Sequence, residues 1–272
     1  MLAKGASRME VKVIATWLYG LSTAVVYPVI ILLVAGAAEL GRQLGKRFPH
    51  DEATSPHFGT VTGAAIGLVG LLLAFSFSSA LSRYEARRNW VLEEANAISS
   101  TANFALMLPQ PVQKPILDLL RAYTEVRIGL GVPYNPAKLD NDIARSLDLQ
   151  TKLWQQAVAV TAMAPQSLPA YRFVASLNEM NNVHERRITA LRYNVPSPVM
   201  VTLVAVTMVA MGFTGYLSGT AGANRRTANL IMSVTVAVLI LLIIDLNRPA
   251  RGIILVPTTP LIDALQGIPR SQ

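Results

Sequence analysis

Long apolar runs and long amphipathic ones divide this chain between them. Four runs are continuous enough, at about 17–25 residues, to cross the hydrocarbon core of a bilayer as helices. They are "LSTAVVYPVIILLVAGAA" (Leu21 to Ala38), "GTVTGAAIGLVGLLLAFSFSSAL" (Gly59 to Leu81), "PVMVTLVAVTMVAMGFTGYLSG" (Pro198 to Gly219) and "NLIMSVTVAVLILLIIDL" (Asn229 to Leu246). None carries a charge in its middle; Asp245 and Asn247 sit at the end of the fourth.

Between the second and third runs the pattern changes to helical amphipathicity. Trp90, Ala97, Ile98, Phe104 and Met107 recur at three- and four-residue steps before Pro109 and Pro111, and that spacing places them on one helix face. Ile116, Leu119, Leu120, Tyr123 and Ile128 repeat the pattern up to Gly129, Gly131 and Pro133. A third helix is expected at about Asn141 to Thr161 and a fourth at about Ala170 to Tyr193, with "HERRITALRYN" leading to Pro196 and Pro198. No alternating strand pattern occurs. Leu71 to Thr101 contains neither Gly nor Pro, so the second membrane helix is expected to leave the lipid and continue as a charged helix through Arg83, Arg87 and Glu94.

Composition agrees. The 272 residues are 52% hydrophobic and 15% charged, against roughly 25% charged in ordinary soluble domains, and the mean hydropathy is +0.40. Cysteine is absent, which excludes disulfides, thiol catalysis and Cys-ligated zinc. The net charge of +8 is read as orientation and contact with anionic lipid, not nucleic-acid binding. Lys4, Arg8, Lys12, the basic residues between Arg83 and Arg192, and Arg248, Arg251 and Arg270 fall on one side of a four-span layout. Arg42, Lys46, Arg47, Arg225 and Arg226 fall on the other. The positive-inside bias makes both termini and the middle segment cytoplasmic. The first span resembles a signal peptide, with "AGA" at Ala35 to Ala37, but its apolar run exceeds the about 7–15 residues of such a segment and Glu39 follows it, so it is read as uncleaved.

Candidate chemistry is sparse. His50, Asp51, Glu52 and His57 match no metal-ligand spacing and read as a solvated turn. Asp140, Asp142 and Asp148 lack the glycine and glutamate of a calcium loop and suit helix capping. His184 with Glu185 reads as a solvated face, and Arg186, Arg187 and Arg192 as topology determinants or ligands for headgroups or anions. Asp245 with Arg248 or Arg251 suggests an ion pair at the end of the last span. Gly59, Gly63 and Gly67 form a small-x-x-x-small pattern that suits close helix packing, within one subunit or between subunits. No nucleophile triad, P-loop, dinucleotide fingerprint or paired intramembrane carboxylates occur, so neither an enzyme nor a cofactor is expected. A transporter would show internal repeats or broken helices with buried charge, and Pro28 alone hints at a break.

The run "FSFSSALSRYEARRNWVLEEANAIS", with Glu94, Ala95, Asn96, Ala97 and Ile98 as its signature, resembles the bacterial bestrophin-like domain family. The resemblance extends through "LPQPVQKPILDLLRAYTEVRI", "HERRITALRYNVP" and "DLNRPARG". It implies a bacterial inner-membrane protein and, more distantly, the plan of bestrophin channels, in which five subunits surround a pore whose apolar neck comes from the second membrane helix. Arg83-Tyr84-Glu85-Ala86-Arg87 stands where those channels have a stretch one residue longer with paired tryptophans. Aligned on Arg83, the resemblance places the neck at Gly67, Leu71 and Phe75, and aligned on Glu85 to Arg87 at Leu68, Leu72 and Ser76. It implies Ser79, Ser82, Arg83 and Arg87 along the pore or vestibule wall, and Glu94, Asn96, Asp245 and Arg248 as structural motif residues.

The expected fold class is therefore an all-α membrane protein with four transmembrane helices plus a cytoplasmic helical bundle. Residues 1–20 form a cytoplasmic N-terminal segment, 21–81 the first two spans, 82–197 the bundle, 198–246 the last two spans and 247–272 a cytoplasmic tail. The expected function is a homopentameric ion channel, chloride-conducting by resemblance, with inorganic ions and membrane lipid as partners. The alternative is a non-conducting scaffold or sensor whose bundle recruits another protein.

Overall fold

The computed structural model describes residues 22–49, 55–130, 136–220, 226–248 and 252–270. The N-terminal segment, Arg225, Arg251 and the outer-loop candidates His50, Asp51 and Glu52 lie outside the described residues. Among the described residues the chain is all-α: α1 (Thr23–Arg47), α2 (Ser55–Ala105), α3 (Gln113–Gly129), α4 (Pro136–Met163), α5 (Leu168–Arg192), α6 (Ser197–Thr220), α7 (Arg226–Leu246) and α8 (Thr259–Gly267). Four helical stretches are long and apolar enough to cross a membrane. Their apolar parts fall in α1, the first half of α2, α6 and α7.

α1 continues beyond the expected span to Arg47 and runs through Pro28 without a break. Glu39 inside it accepts a bidentate pair of hydrogen bonds from Arg42, with the Nε contact at 2.9 Å. α2 is one helix of 51 residues, about twice what a bilayer needs. α4 starts at Pro136, five residues before the expected start, so Asp140 and Asp142 sit within its first turns. Proline fits there because its missing N–H is one that a helix start leaves unbonded anyway.

The chain divides into two compact units. One comprises residues 1–82 and 194–248. In it α1 packs along α6 and α7, and glycine sets the distance. A Cβ on Gly41 or Gly45 would strike the backbone carbonyl of Gly212 or Tyr216, and one on Gly215 or Gly219 that of Ala38 or Arg42. These two glycine pairs, each at four-residue spacing, let the helix backbones touch. Within one chain the Gly59, Gly63 and Gly67 pattern that the sequence offers takes no such part, since a Cβ on any of these meets nothing within 4 Å. Gly215→Ala is expected to abolish recovery of folded protein, because its obstacle is backbone that cannot swing aside, while Gly36→Ala, where a Cβ meets nothing within 4 Å, leaves the melting temperature unchanged. Fluorescence-detected size-exclusion melts of both variants check this.

The other unit comprises residues 83–193 and 249–272. Its core gathers Ile98 and Ala102 of α2, Ile116 and Leu120 of α3, Leu153 of α4, Phe173, Leu177 and Met180 of α5, and Leu261 and Ala264 of α8. The C-terminal segment, expected as a tail, is thus part of the bundle. α8 packs on α3, and Arg121 donates to the carbonyls of Leu265 (3.2 Å) and Ile268 (2.7 Å) at its end, where a cation also complements the helix dipole. Ser167 caps α5, its hydroxyl accepting from the Ala170 N–H at 3.3 Å.

Candidate functional site

Two features stand out, and α2 carries part of each. Along α2 the buried positions are Thr62, Val69 and Ser76, then Ala80, Arg87, Glu94 and Thr101, with Val91, Ile98 and Ala105 beside them. Seven residues make nearly two turns, so one side of the helix is covered throughout. The opposite stripe is free: Gly63, Gly67, Leu71, Phe75, Ser78, Ser82, Glu85, Asn89, Glu93 and Asn96 are all exposed. Phe75 is 67% exposed. Its composition separates this stripe from the other free membrane-helix faces. α1 presents Val25, Val29, Leu32, Leu33, Leu40 and Leu44, and α7 presents Ile231, Val234, Val238 and Leu239, as a lipid-facing surface should. On α2 the free stripe mixes Gly63, Gly67, Ser78 and Ser82 with Leu71 and Phe75, and Val61, Leu68 and Phe77 are exposed beside it.

Of the sequence-proposed wall residues, Gly67, Leu71, Phe75 and Ser82 are exposed, and Ser79 and Arg83 are half-buried. Arg87 departs from expectation. It is 2% exposed, on the covered side of the helix, so its guanidinium faces the interior of the bundle unit instead of a vestibule. The second alignment of the neck also meets an obstacle, because Ser76 is buried.

The second feature is a polar cluster inside the bundle unit. Glu94 of α2 is fully buried between Arg127 of α3 and Arg187 of α5. Arg127 Nε donates to Glu94 Oε1 at 2.6 Å, and Arg187 donates through one terminal nitrogen to Oε2 and through the other to the Arg127 carbonyl at 3.3 Å. The Tyr123 hydroxyl donates to Oε1 at 3.2 Å. It receives Gln150 Nε2 at 3.4 Å and lies 3.1 Å from His184 Nδ1. With the hydroxyl proton directed to Glu94, His184 must carry its proton on Nδ1. Burial would raise the Glu94 carboxyl, but the two guanidinium charges outweigh it and hold the group at about 2. Burial, then the charge of Arg127, pushes His184 down to about 4. The Tyr123 hydroxyl is raised, first by burial and then by the Glu94 charge.

His184 and Arg187 therefore correct the sequence reading: both are buried, not on a solvated or lipid-binding face, whereas Arg186 and Arg192 are exposed. Asn96 is exposed. Asp245 and Arg248 are buried in the other unit, where Asp245 accepts a hydrogen bond from the Tyr27 hydroxyl and Asn247 Oδ1 accepts from the Val195 N–H at 2.7 Å.

The Bestrophin-like domain profile matches residues 28–261. This chain belongs to the bestrophin-like family. Its fold is that of solved bacterial relatives. A bestrophin homologue from Klebsiella pneumoniae superposes with a TM-score of 0.64 at 14% identity, over 90% of this chain and 97% of that one. A variant of the Klebsiella homologue with one isoleucine-to-threonine change gives 0.65 at 13% identity, over 91% and 98%. A leucine-to-alanine variant described as a membrane protein gives 0.65 at 14%, over the same shares. No curated protein matches the chain by sequence.

In this bestrophin-like bundle the depressed His184 value fixes the sign of a pH effect. The folded state resists protonation that the unfolded chain accepts near 6.5, so folded stability is present above 6.5 and is lost as pH falls toward about 4. The groups facing the ring are Tyr123, Glu94, Arg127 and Arg187. Melting temperatures of the bundle should fall over that window, and His184→Gln should flatten the fall.

Proposed function

We propose that several copies of this chain, five on the bestrophin plan, assemble into an ion channel of the bacterial inner membrane, with both termini and the bundle cytoplasmic. α2 lines the pore, with Gly67, Leu71 and Phe75 forming its neck. The observation that carries this reading is the free stripe of α2. Its glycines meet no neighbour within 4 Å, and its small and hydroxyl residues suit water and close approach of another copy better than acyl chains. An apolar ring at Phe75 gates by dewetting, and polar or charged rings beyond it select.

The charges on that stripe bear on selectivity. The anion preference implied by resemblance needs basic side chains on the wall, but Arg87 is buried and Arg83 half-buried, while Glu85 and Glu93 are exposed in line with Phe75. Acidic rings favour cations. Liposomes holding the purified protein under opposing potassium and chloride gradients test both parts. A reversal potential toward that of potassium is expected, and Glu85→Gln with Glu93→Gln should move it toward zero. A reversal potential at that of chloride would restore the anion preference. No flux under any gradient would transfer the stripe to a scaffold that binds a partner.

A further inference from the structure

α4 is apolar on two sides, and the core of its unit uses one. Leu149, Leu153, Ala157 and Val160 belong to that core. On the other side Ala144, Leu147, Thr151, Trp154, Val158 and Thr161 are all exposed, at alternating steps of three and four residues. That is the spacing of a seam that packs against another helix. The two threonines belong to the apolar set. The Thr151 hydroxyl donates to the Leu147 carbonyl at 2.9 Å and the Thr161 hydroxyl to that of Ala157 at 2.7 Å, which leaves their methyl groups to the seam. A solvated face in the same unit has a different composition: α5 exposes Arg172, Asn178, Glu179, Asn182, Glu185 and Arg186.

We propose that this seam docks the same seam of a second copy of the chain, antiparallel about a two-fold axis. The seam matches itself in size. With the axis at its middle, between Lys152 and Leu153, it sets Leu147 against the copy's Val158, Ala144 against the copy's Thr161, and Trp154, its largest member, against the copy's Thr151. Each layer occurs twice, as a two-fold contact requires. The open edge of the seam matches itself in charge. Asp148 comes opposite the amide of the copy's Gln155, with the copy's Lys152 about one turn further on, and no two like charges of α4 meet. Within one helix Lys152 already lies 2.7 Å from Asp148, so both side chains stand at that edge. A two-fold contact closes on itself, whereas the contact that builds a ring of five does not. The seam therefore pairs copies from two assemblies, and it stands or falls apart from the channel reading.

The chain has no cysteine, so introduced cysteines report the contact. Full-length Leu147→Cys and Val158→Cys proteins, purified separately in detergent with different affinity tags, are mixed and oxidised. The mixture should form a disulfide that joins the two tags. Neither protein alone should cross-link, because like positions lie about 16 Å apart along the paired helices. Light scattering gives a second reading. The wild-type assembly should have twice the mass of the Val158→Glu assembly, and the two should melt alike, since Val158 is 59% exposed in the subunit. No disulfide between the tags, cross-linking within a single preparation, or equal masses for wild type and Val158→Glu would overturn the proposal. A seam that packs within a ring or on a different protein would give the first of these results.

Discussion

Replacing Glu94 with glutamine is expected to destabilise the bundle unit by about 3–5 kcal/mol. Glu94 is the buried carboxylate between Arg127 and Arg187 and also accepts from Tyr123. Glutamine keeps the shape but loses the charge, and its amide nitrogen would put a donor against guanidinium or hydroxyl donors. Two buried cations would then stand unmatched. Domains hold only about 5–15 kcal/mol in total, so the loss is large. Glu93→Gln, one residue away on the exposed stripe, should melt like wild type. Acid acts on the same contact: a carboxyl held at about 2 against an ordinary 4.5 contributes stability above 4.5 that disappears as pH falls toward 2. Thermal melts with limited proteolysis of the bundle decide the matter. A Glu94→Gln protein that melts within about 0.5 kcal/mol of wild type would mean the triad does not hold the fold together.

The spans and the unbroken second helix were legible because each is encoded by a run: apolar length for the spans, and absence of Gly and Pro from Leu71 to Thr101 for the continuation. The E-A-N-A-I glutamate was legible as a motif but not its partners. The signal for them was present. Ile116, Leu120, Tyr123 and Arg127 share one buried face of α3, and Leu177, Met180, His184 and Arg187 one of α5. A charge in register with an apolar stripe marks a buried pair, whereas the positive-inside rule reads every arginine as surface. Arg87 was misplaced for a related reason, since a single residue rotates a helix by about 100° and the resemblance left the register of α2 open by one. The packing glycines were missed because Gly41 and Gly45 lie beyond the first apolar run and Gly215 and Gly219 fall in the last part of the third, and only three dimensions show which of two small-residue patterns meets a backbone. α8 is too short, at nine residues, for periodicity to distinguish it from a tail.

Truncating Phe75 to alanine is expected to raise resting flux through reconstituted channels about tenfold, equivalent to about 1.4 kcal/mol off the barrier, without destabilising the subunit. The two halves of the expectation have separate causes. Phe75 is 67% exposed in the subunit, so its removal deletes little intramolecular packing and the melting temperature should hold. In the ring proposed above every copy would contribute one phenyl group to the same level, and loss of all of them would widen and wet an apolar constriction at once. Leu71→Ala, one turn away on the same stripe, should act in the same direction and more weakly. Leu72→Ala provides the contrast, because its level belongs to the register whose next position, Ser76, is buried. Stronger gating loss from Leu72→Ala than from Phe75→Ala would assign the neck to that other register. If Phe75→Ala left flux unchanged but shifted the protein to smaller particles, Phe75 would be a contact between copies of the chain and the gate would lie elsewhere on α2.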